Sequence, residues 1–304
     1  MPDFLVSFIN LIPVTIAQSL IVAFVVLGIM IPFRLLGFPD LTSEGAFPLG
    51  GCVAGVLIAS GHDPVFAMAV AACAGFLAGS ATAFIHLRFG INTLLAGILV
   101  MTMLYSINLR IMGRTNIALF TFDSLFKDLN PANFNDPWFK IAVVGALMSV
   151  VLAALYYLLV TERGTAIRAV GASPDMAEAQ GVSIWAATIL GVGAASLFTA
   201  LGGGIMVQSQ GFADVNMGFG ILINGLAALI IGEAIIGRKS VLRQLLAPIV
   251  GALAYYQLVS LCLSLGLAPA DLKLATGLFV LIMLGLPALR RGAGMPQLKE
   301  KIRE

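Results

Sequence analysis

Charge is what this sequence has least of. Asp, Glu, Lys and Arg make up 11% of its 304 residues and hydrophobic types 60%, whereas an ordinary soluble domain is about a quarter charged. With a mean hydropathy of +1.02, the composition excludes a soluble globular chain. Cysteine is scarce as well. Cys52, Cys73 and Cys262 all lie inside apolar runs, so they read as small buried hydrophobes and exclude a disulfide or metal framework. The only histidines are His62, in the turn Gly61-His62-Asp63-Pro64, and His86, beside Arg88 at the end of an apolar run. Neither has a nucleophile or ligand cluster near it, and no paired acids or Ser/His arrangement lies within the runs, which leaves catalysis unsupplied. A phosphate-binding loop is missing too. Gly232-Glu233-Ala234-Ile235-Ile236-Gly237-Arg238-Lys239-Ser240 has one residue too many and follows a membrane helix instead of a buried strand. The chain therefore carries no ATP-binding machinery and binds no cofactor of its own, and no nucleic-acid partner is expected.

What is present is membrane-spanning helix. Apolar runs of about 20 residues cross a bilayer, and their backbone groups can be paired only within helices. The runs are continuous, not alternating, which excludes a β-barrel. Nine spans are predicted, at about 11–35, 46–60, 64–86, 91–110, 138–160, 183–206, 218–236, 245–267 and 272–289. The fold class is all-α, a polytopic membrane protein forming a single domain over 1–304. No Lys or Arg precedes the first run, so it reads as a retained span and not a cleaved leader. The second run, Ala46 to Ser60, is too short for an upright crossing. It follows the helix-breaking Gly37-Phe38-Pro39-Asp40-Leu41-Thr42-Ser43-Glu44-Gly45, either a surface loop or an unwound lead-in within the membrane: a broken second helix.

Basic residues set the orientation. With the loops after spans one, three, five and seven and the carboxyl tail (290–304) inside, the cytoplasmic face holds Arg34, Arg88, Arg163, Arg168, Arg238, Lys239, Arg243, Arg290, Arg291, Lys299, Lys301 and Arg303. The outer face holds Arg110, Arg114, Lys127, Lys140 and Lys273. The polar island Thr161–Ser183 then faces the cytoplasm. Ser173 stands as its N-cap, Pro174 as first helical residue, Asp175 in the first turn and Gly181 past the end. It is a docking element for a soluble partner or an interfacial helix on lipid headgroups. The outer connection, residues 113–137, is a structured cap or a solvated loop.

Polar residues at membrane depth mark pathways. Asp40, Thr42 and Glu44 either cap a helix near the surface or line a conduit. Asn216 and Asn224 either line it from a second broken helix, Asp214-Val215-Asn216-Met217-Gly218, or pack between helices. That second lead-in echoes the first, as paired broken helices do in transporter repeats. Glu233 reads as a salt-bridged interfacial residue beside Arg238 and Lys239. Gly51/Gly55 and Gly75/Gly79 permit close helix contact, and Gly202-Gly203-Gly204 reads as a helix break near the outer surface.

The island, with Gly164-Thr165-Ala166-Ile167-Arg168-Ala169-Val170-Gly171 and Ala179-Gln180-Gly181-Val182, resembles the coupling loop of ABC importer permeases of the branched-chain amino acid and ribose type. Phe38-Pro39-Asp40-Leu41-Thr42-Ser43-Glu44-Gly45, Asn216-Met217-Gly218-Phe219-Gly220 through Gly232-Glu233-Ala234, and Asp271-Leu272-Lys273-Leu274 resemble a subgroup associated with tryptophan or tyrosine uptake. The likeness runs from about Leu35 to Leu286, with Ser43 standing where Val is expected. It implies a bacterial inner-membrane permease working by alternating access, as a dimer that is most simply a homodimer. Two cytoplasmic ATP-binding subunits carrying ATP and magnesium would grip Arg163, Thr165, Arg168, Gly171, Ser173, Asp175 and Glu178. An extracytoplasmic binding protein would deliver an amino acid or similar small solute. The alternative is an ion-coupled secondary transporter using Asp40 or Glu44.

Overall fold

The structure is a computed structural model that describes residues 3–130, 135–266 and positions 271, 274, 276–278 and 281. Residues 13–256 form one compact unit, and 1–12 with 257–304 form another. The sites considered below lie in the first.

Helices dominate. Helix α1 (Asp3–Met30) continues through a π-helical turn (Ile31–Leu36), and α2 (Thr42–Ala59), α3 (Pro64–Phe89) and α4 (Thr93–Met112) follow. A short strand β1 (Asn116–Ala118) and helix α5 (Leu125–Leu129) lead to α6 (Pro137–Val160), then α7 (Glu162–Ala172), α8 (Pro174–Ala179) and α9 (Ile184–Gln210). Strand β2 (Phe212–Asp214), a 3₁₀ turn (Val215–Gly218), α10 (Ile221–Ile236) and α11 (Val241–Ser264) complete the described chain. Among the described residues eight helices are long and apolar enough to cross a membrane. Most of the ninth expected span, 272–289, the Leu272-Lys273 part of its motif and the tail lie outside the described residues.

Local punctuation explains the boundaries. Asp63 Oδ1 accepts from the Val65 and Phe66 amides ahead of α3, Asn92 from Leu94 ahead of α4, and Asp136 from Trp138 ahead of α6. Each satisfies donors that the first helical turn leaves free. Gly90, Gly113 and Gly211 close their helices in the left-handed conformation, which glycine adopts without steric cost.

The second span begins earlier than its apolar run. Helix α2 takes in Thr42–Gly45, reaching 18 residues, or about 27 Å at 1.5 Å per residue. The break is confined to Gly37–Leu41, ahead of the helix. The triple glycine is likewise no break. Gly202, Gly203 and Gly204 are buried inside continuous α9, and a Cβ on Gly203 would sit on the Phe47 carbonyl oxygen of α2. Gly50 meets Ala200 in the same way, and Gly75 and Gly79 of α3 meet Ser196 and Val192. Small residues on α2, α3 and α9 thus bring three backbones into direct contact, which is how helices associate without water to drive them.

At the end of α9 away from α7 and α8, β1 pairs antiparallel with β2, Ile117 opposite Ala213. Ile117, Leu119, Ala213 and Val215 bury against Cys52, Ile58 and Val207. The 113–137 connection is therefore structured where it is described, with Lys127 Nζ bonded to Asp123 at 2.9 Å.

Candidate functional site: a cleft beside Glu44 and a helical platform

Asp40 is fully buried. Its Oδ1 accepts from the Thr42 amide at 2.8 Å and from the Thr42 hydroxyl. That hydroxyl also bonds Thr82 Oγ1 of α3 at 2.7 Å. A Cβ on Gly97 of α4 would come within 2.9 Å of the same carboxylate oxygen. Asp40 thus starts α2 and fastens it to α3, while α4 seals it in. Its other oxygen has no partner among the described residues.

One helical turn later, Glu44 leaves this cluster and faces α10. The backbone amides of Gly220 and Leu222 approach its carboxylate, so α2 places an anion near the positive start of α10. Gly218 permits the approach, because a Cβ there would strike the Glu44 carbonyl and Pro48. Gly220, at φ +82°, turns the chain into α10. Between α2, α4 and the 3₁₀ turn lies a cleft of about 210 Å³, lined by Glu44, Pro48, Met101, Thr102, Tyr105, Asn108 and Phe219 among others. Asn216 is exposed on the turn and does not line this cleft. Asn224 accepts from Tyr255 Oη of α11 at 3.0 Å, a bond between helices.

The polar island is two helices, not one. Helix α7 precedes the expected α8, and Ser173, between them, makes no side-chain capping bond. Gly171 seats α7 on the π-helical turn, since a Cβ there would sit on the Leu35 carbonyl oxygen. Arg168 folds back, its Nη2 donating to the Leu159 carbonyl at the end of α6 at 3.0 Å. Arg163, Thr165, Asp175 and Glu178 are exposed, and so is Met176, at 69%. Beside this platform Arg34 Nη2 pairs with Glu233 Oε2 at 2.7 Å, with Arg238 Nε at 3.8 Å. Glu233 is salt-bridged as expected, with Arg34 as its nearer partner. Among the described residues no group of three or more His, Cys, Asp or Glu could hold a metal.

A family model described as the branched-chain amino acid transport system, permease component, matches residues 12–286. The chain belongs to this family. The permease is 37% identical over 268 residues to the tyrosine transport system permease protein of Clostridioides difficile (strain R20291), covering 88% of each chain. It is 34% identical over 281 residues to an uncharacterized protein of Rickettsia prowazekii (strain Madrid E), covering 90% of this chain and 97% of that one. No solved structure matches it. The permease is a multi-pass membrane protein, and the resemblance to the tyrosine-type subgroup holds.

Sequence reasoning missed Thr82, Asn108, Arg34 as the partner of Glu233, and Met176. Asn108 carried a signal, a polar amide inside an apolar run. Thr82 carried none, because threonine is common in such helices and its bond to Thr42 exists only after α2 and α3 pack.

Proposed function

We propose that the permease is the membrane-spanning subunit of an ATP-driven importer, moving an amino acid or similar small solute by alternating access. The observation that carries this reading is the α7–α8 platform, two short helices with an exposed outer face, seated by Gly171 on the π-helical turn that follows α1. A separate pair of ATP-binding subunits, holding ATP and magnesium, grips Arg163, Thr165, Asp175, Met176 and Glu178 from the cytoplasm. Arg168, Gly171 and Ser173 keep the platform in shape. The positive-inside bias supports this orientation and a cytoplasmic carboxyl terminus. An extracytoplasmic binding protein delivers the solute over the β1–β2 cap, and a second copy of the chain completes the conduit in the inner membrane. The tyrosine-system relative supports an amino-acid cargo.

Closure of the ATPases presses on α7, which bears on the end of α1. Arg34 carries the displacement through Glu233 into α10, whose far end abuts Glu44. The test is co-purification in mild detergent with ATP hydrolysis as the readout. The permease brings down an ATP-binding subunit and stimulates it, while Met176→Asp loses the partner and keeps its fold. Uptake by the permease alone, driven by an ion gradient without ATP, overturns the reading in favour of secondary transport through Asp40 or Glu44.

A further inference from the structure

We propose that the α10–α11 connection, with Arg238, Lys239 and Arg243, is a binding site for the phosphate headgroup of an anionic phospholipid. The proposal goes beyond the importer reading and does not depend on it, since it needs only that α10 and α11 cross the membrane.

Cations collect here without acids to match them. Arg238, Lys239 and Arg243 fall within six residues, and no Asp or Glu occurs between Glu233 and Asp271. Glu233 is already taken, since its Oε2 lies 2.7 Å from Arg34 Nη2 and 3.8 Å from Arg238 Nε. Lys239 and Arg243 are exposed and make no ion pair among the described residues. Set against one carboxylate, these four cations leave a strongly positive balance. The connection is also held in shape. Gly237, at φ +80°, ends α10. Gln244 Nε2 donates to the Arg238 carbonyl at 3.1 Å, and Ser240 Oγ accepts from the Arg243 amide at 3.3 Å. The three basic residues therefore project from one tight turn.

The depth of the turn selects a lipid. Both flanking helices are long and apolar enough to span a bilayer, so their connection lies at the membrane surface. Ile235, in the last turn of α10, and Leu242, in the first turn of α11, stand at 58% and 54% exposure. A soluble anion would leave both in water, whereas a phospholipid covers them with acyl chain while its phosphate meets the cations. Guanidinium groups match phosphate with paired hydrogen bonds. Each Lys or Arg near an anionic membrane surface is worth roughly fivefold in binding. A zwitterionic headgroup brings its own cation and cancels most of that gain.

The experiment places the full-length permease in phosphatidylcholine nanodiscs containing a minority of phosphatidylglycerol, and native mass spectrometry counts the lipids retained on release. The permease keeps phosphatidylglycerol in preference to phosphatidylcholine, and excess inorganic phosphate does not displace it. Lys239→Gln with Arg243→Gln removes two cations and lowers the preference at least about tenfold. Both positions are exposed, and an unchanged unfolding midpoint shows that the fold is kept. Lys299→Gln with Lys301→Gln removes the same charge from the carboxyl tail and keeps the preference. Equal loss in the two double variants overturns the proposal, because the attraction is then that of a diffuse basic surface. So does equal retention of both lipids by the unaltered permease, or displacement by inorganic phosphate, which marks a site for soluble anions. Loss of ATPase co-purification in Lys239→Gln with Arg243→Gln, at unchanged lipid retention, assigns the turn to a protein partner and overturns it too. Lipid retention is read without any ATPase, so this proposal and the importer reading fail separately.

Discussion

Among single residues, glycines at backbone contacts carry the sharpest consequences. Gly203 lies where α9 touches the Phe47 carbonyl of α2, and any side chain must push the two helices apart. Overpacking of a tight interface costs about 1–3 kcal/mol, so Gly203→Ala is expected to lower the thermal unfolding midpoint in detergent. Gly145 is the matched control. It lies inside α6, and a methyl group added there would meet nothing within 4 Å. Alanine at that position relieves a helix-entropy penalty of roughly 0.5–1 kcal/mol. Gly145→Ala is therefore expected to be neutral or stabilising. Equal loss in both variants contradicts the contact argument. The same pair shows why the triple glycine misleads a reader of sequence. Glycine weakens an isolated helix, and only the partner backbone reveals that the missing side chains are what lets α9 pack.

Between elements, the joint that matters is Arg34–Glu233. It ties the turn carrying α7 to the carboxyl-terminal end of α10, with the Glu233 side chain 9% exposed and Arg34 36%. A half-buried pair of this kind falls between exposed pairs, worth below about 1 kcal/mol, and buried ones, whose breakage costs roughly 3–5. Glu233→Gln is expected to reduce ATPase-coupled transport more than folding, and the exchanged pair Arg34→Glu with Glu233→Arg is expected to recover part of it. No recovery in the exchanged pair removes the joint from the coupling route. The outer cap answers to pH instead. Partial desolvation and the nearby Asp123 and Asp63 hold the Asp128 carboxyl above its ordinary range, with Lys127 pulling the other way. The folded cap thus binds that proton more tightly than the unfolded chain, and its stability falls as pH rises through this range. Amide exchange over Phe126–Leu129, corrected for its intrinsic rate, is expected to slow from about pH 7 to about pH 4, near the carboxylate range. Asp128→Asn is expected to flatten the change, and added salt to shrink it. The spans were legible in sequence because hydropathy is local, whereas the caps at Asp63, Asn92 and Asp136 were not read and the expected cap at Ser173 makes no side-chain bond. The Glu44–α10 contact was not legible, because it joins segments far apart in the chain, and neither was the inward fold of Arg168, whose carbonyl partner belongs to the preceding helix.

For the molecule as a whole, the close backbone contacts divide residues 13–256 into a part that is locked and a part that can shift. Helices α2, α3 and α9 meet through Gly50, Gly75, Gly79 and Gly203, and packed backbones of this kind do not deform continuously. Helices α10 and α11 form a second locked pair, since a Cβ on Gly232 would sit on the Ala247 carbonyl and one on Gly251 on that of Ala228. The chain enters and leaves α10 through Gly220 and Gly237, both near φ +80°, where glycine absorbs backbone change most readily. On the proposed importer reading, alternating access is expected as displacement of α10 with α11 against a fixed α2–α3–α9 frame. Spin labels at the exposed Ile235 and Phe89 report across that boundary, and labels at Phe89 and Leu190 report within the frame. When the proposed partner ATPase is trapped with nucleotide, the first distance is expected to move by more than about 2 Å, the scale of helix shifts in switching proteins, and the second to stay constant. Movement of both distances together places the division elsewhere, because a frame that flexes with the gate cannot serve as the surface against which α10 is driven.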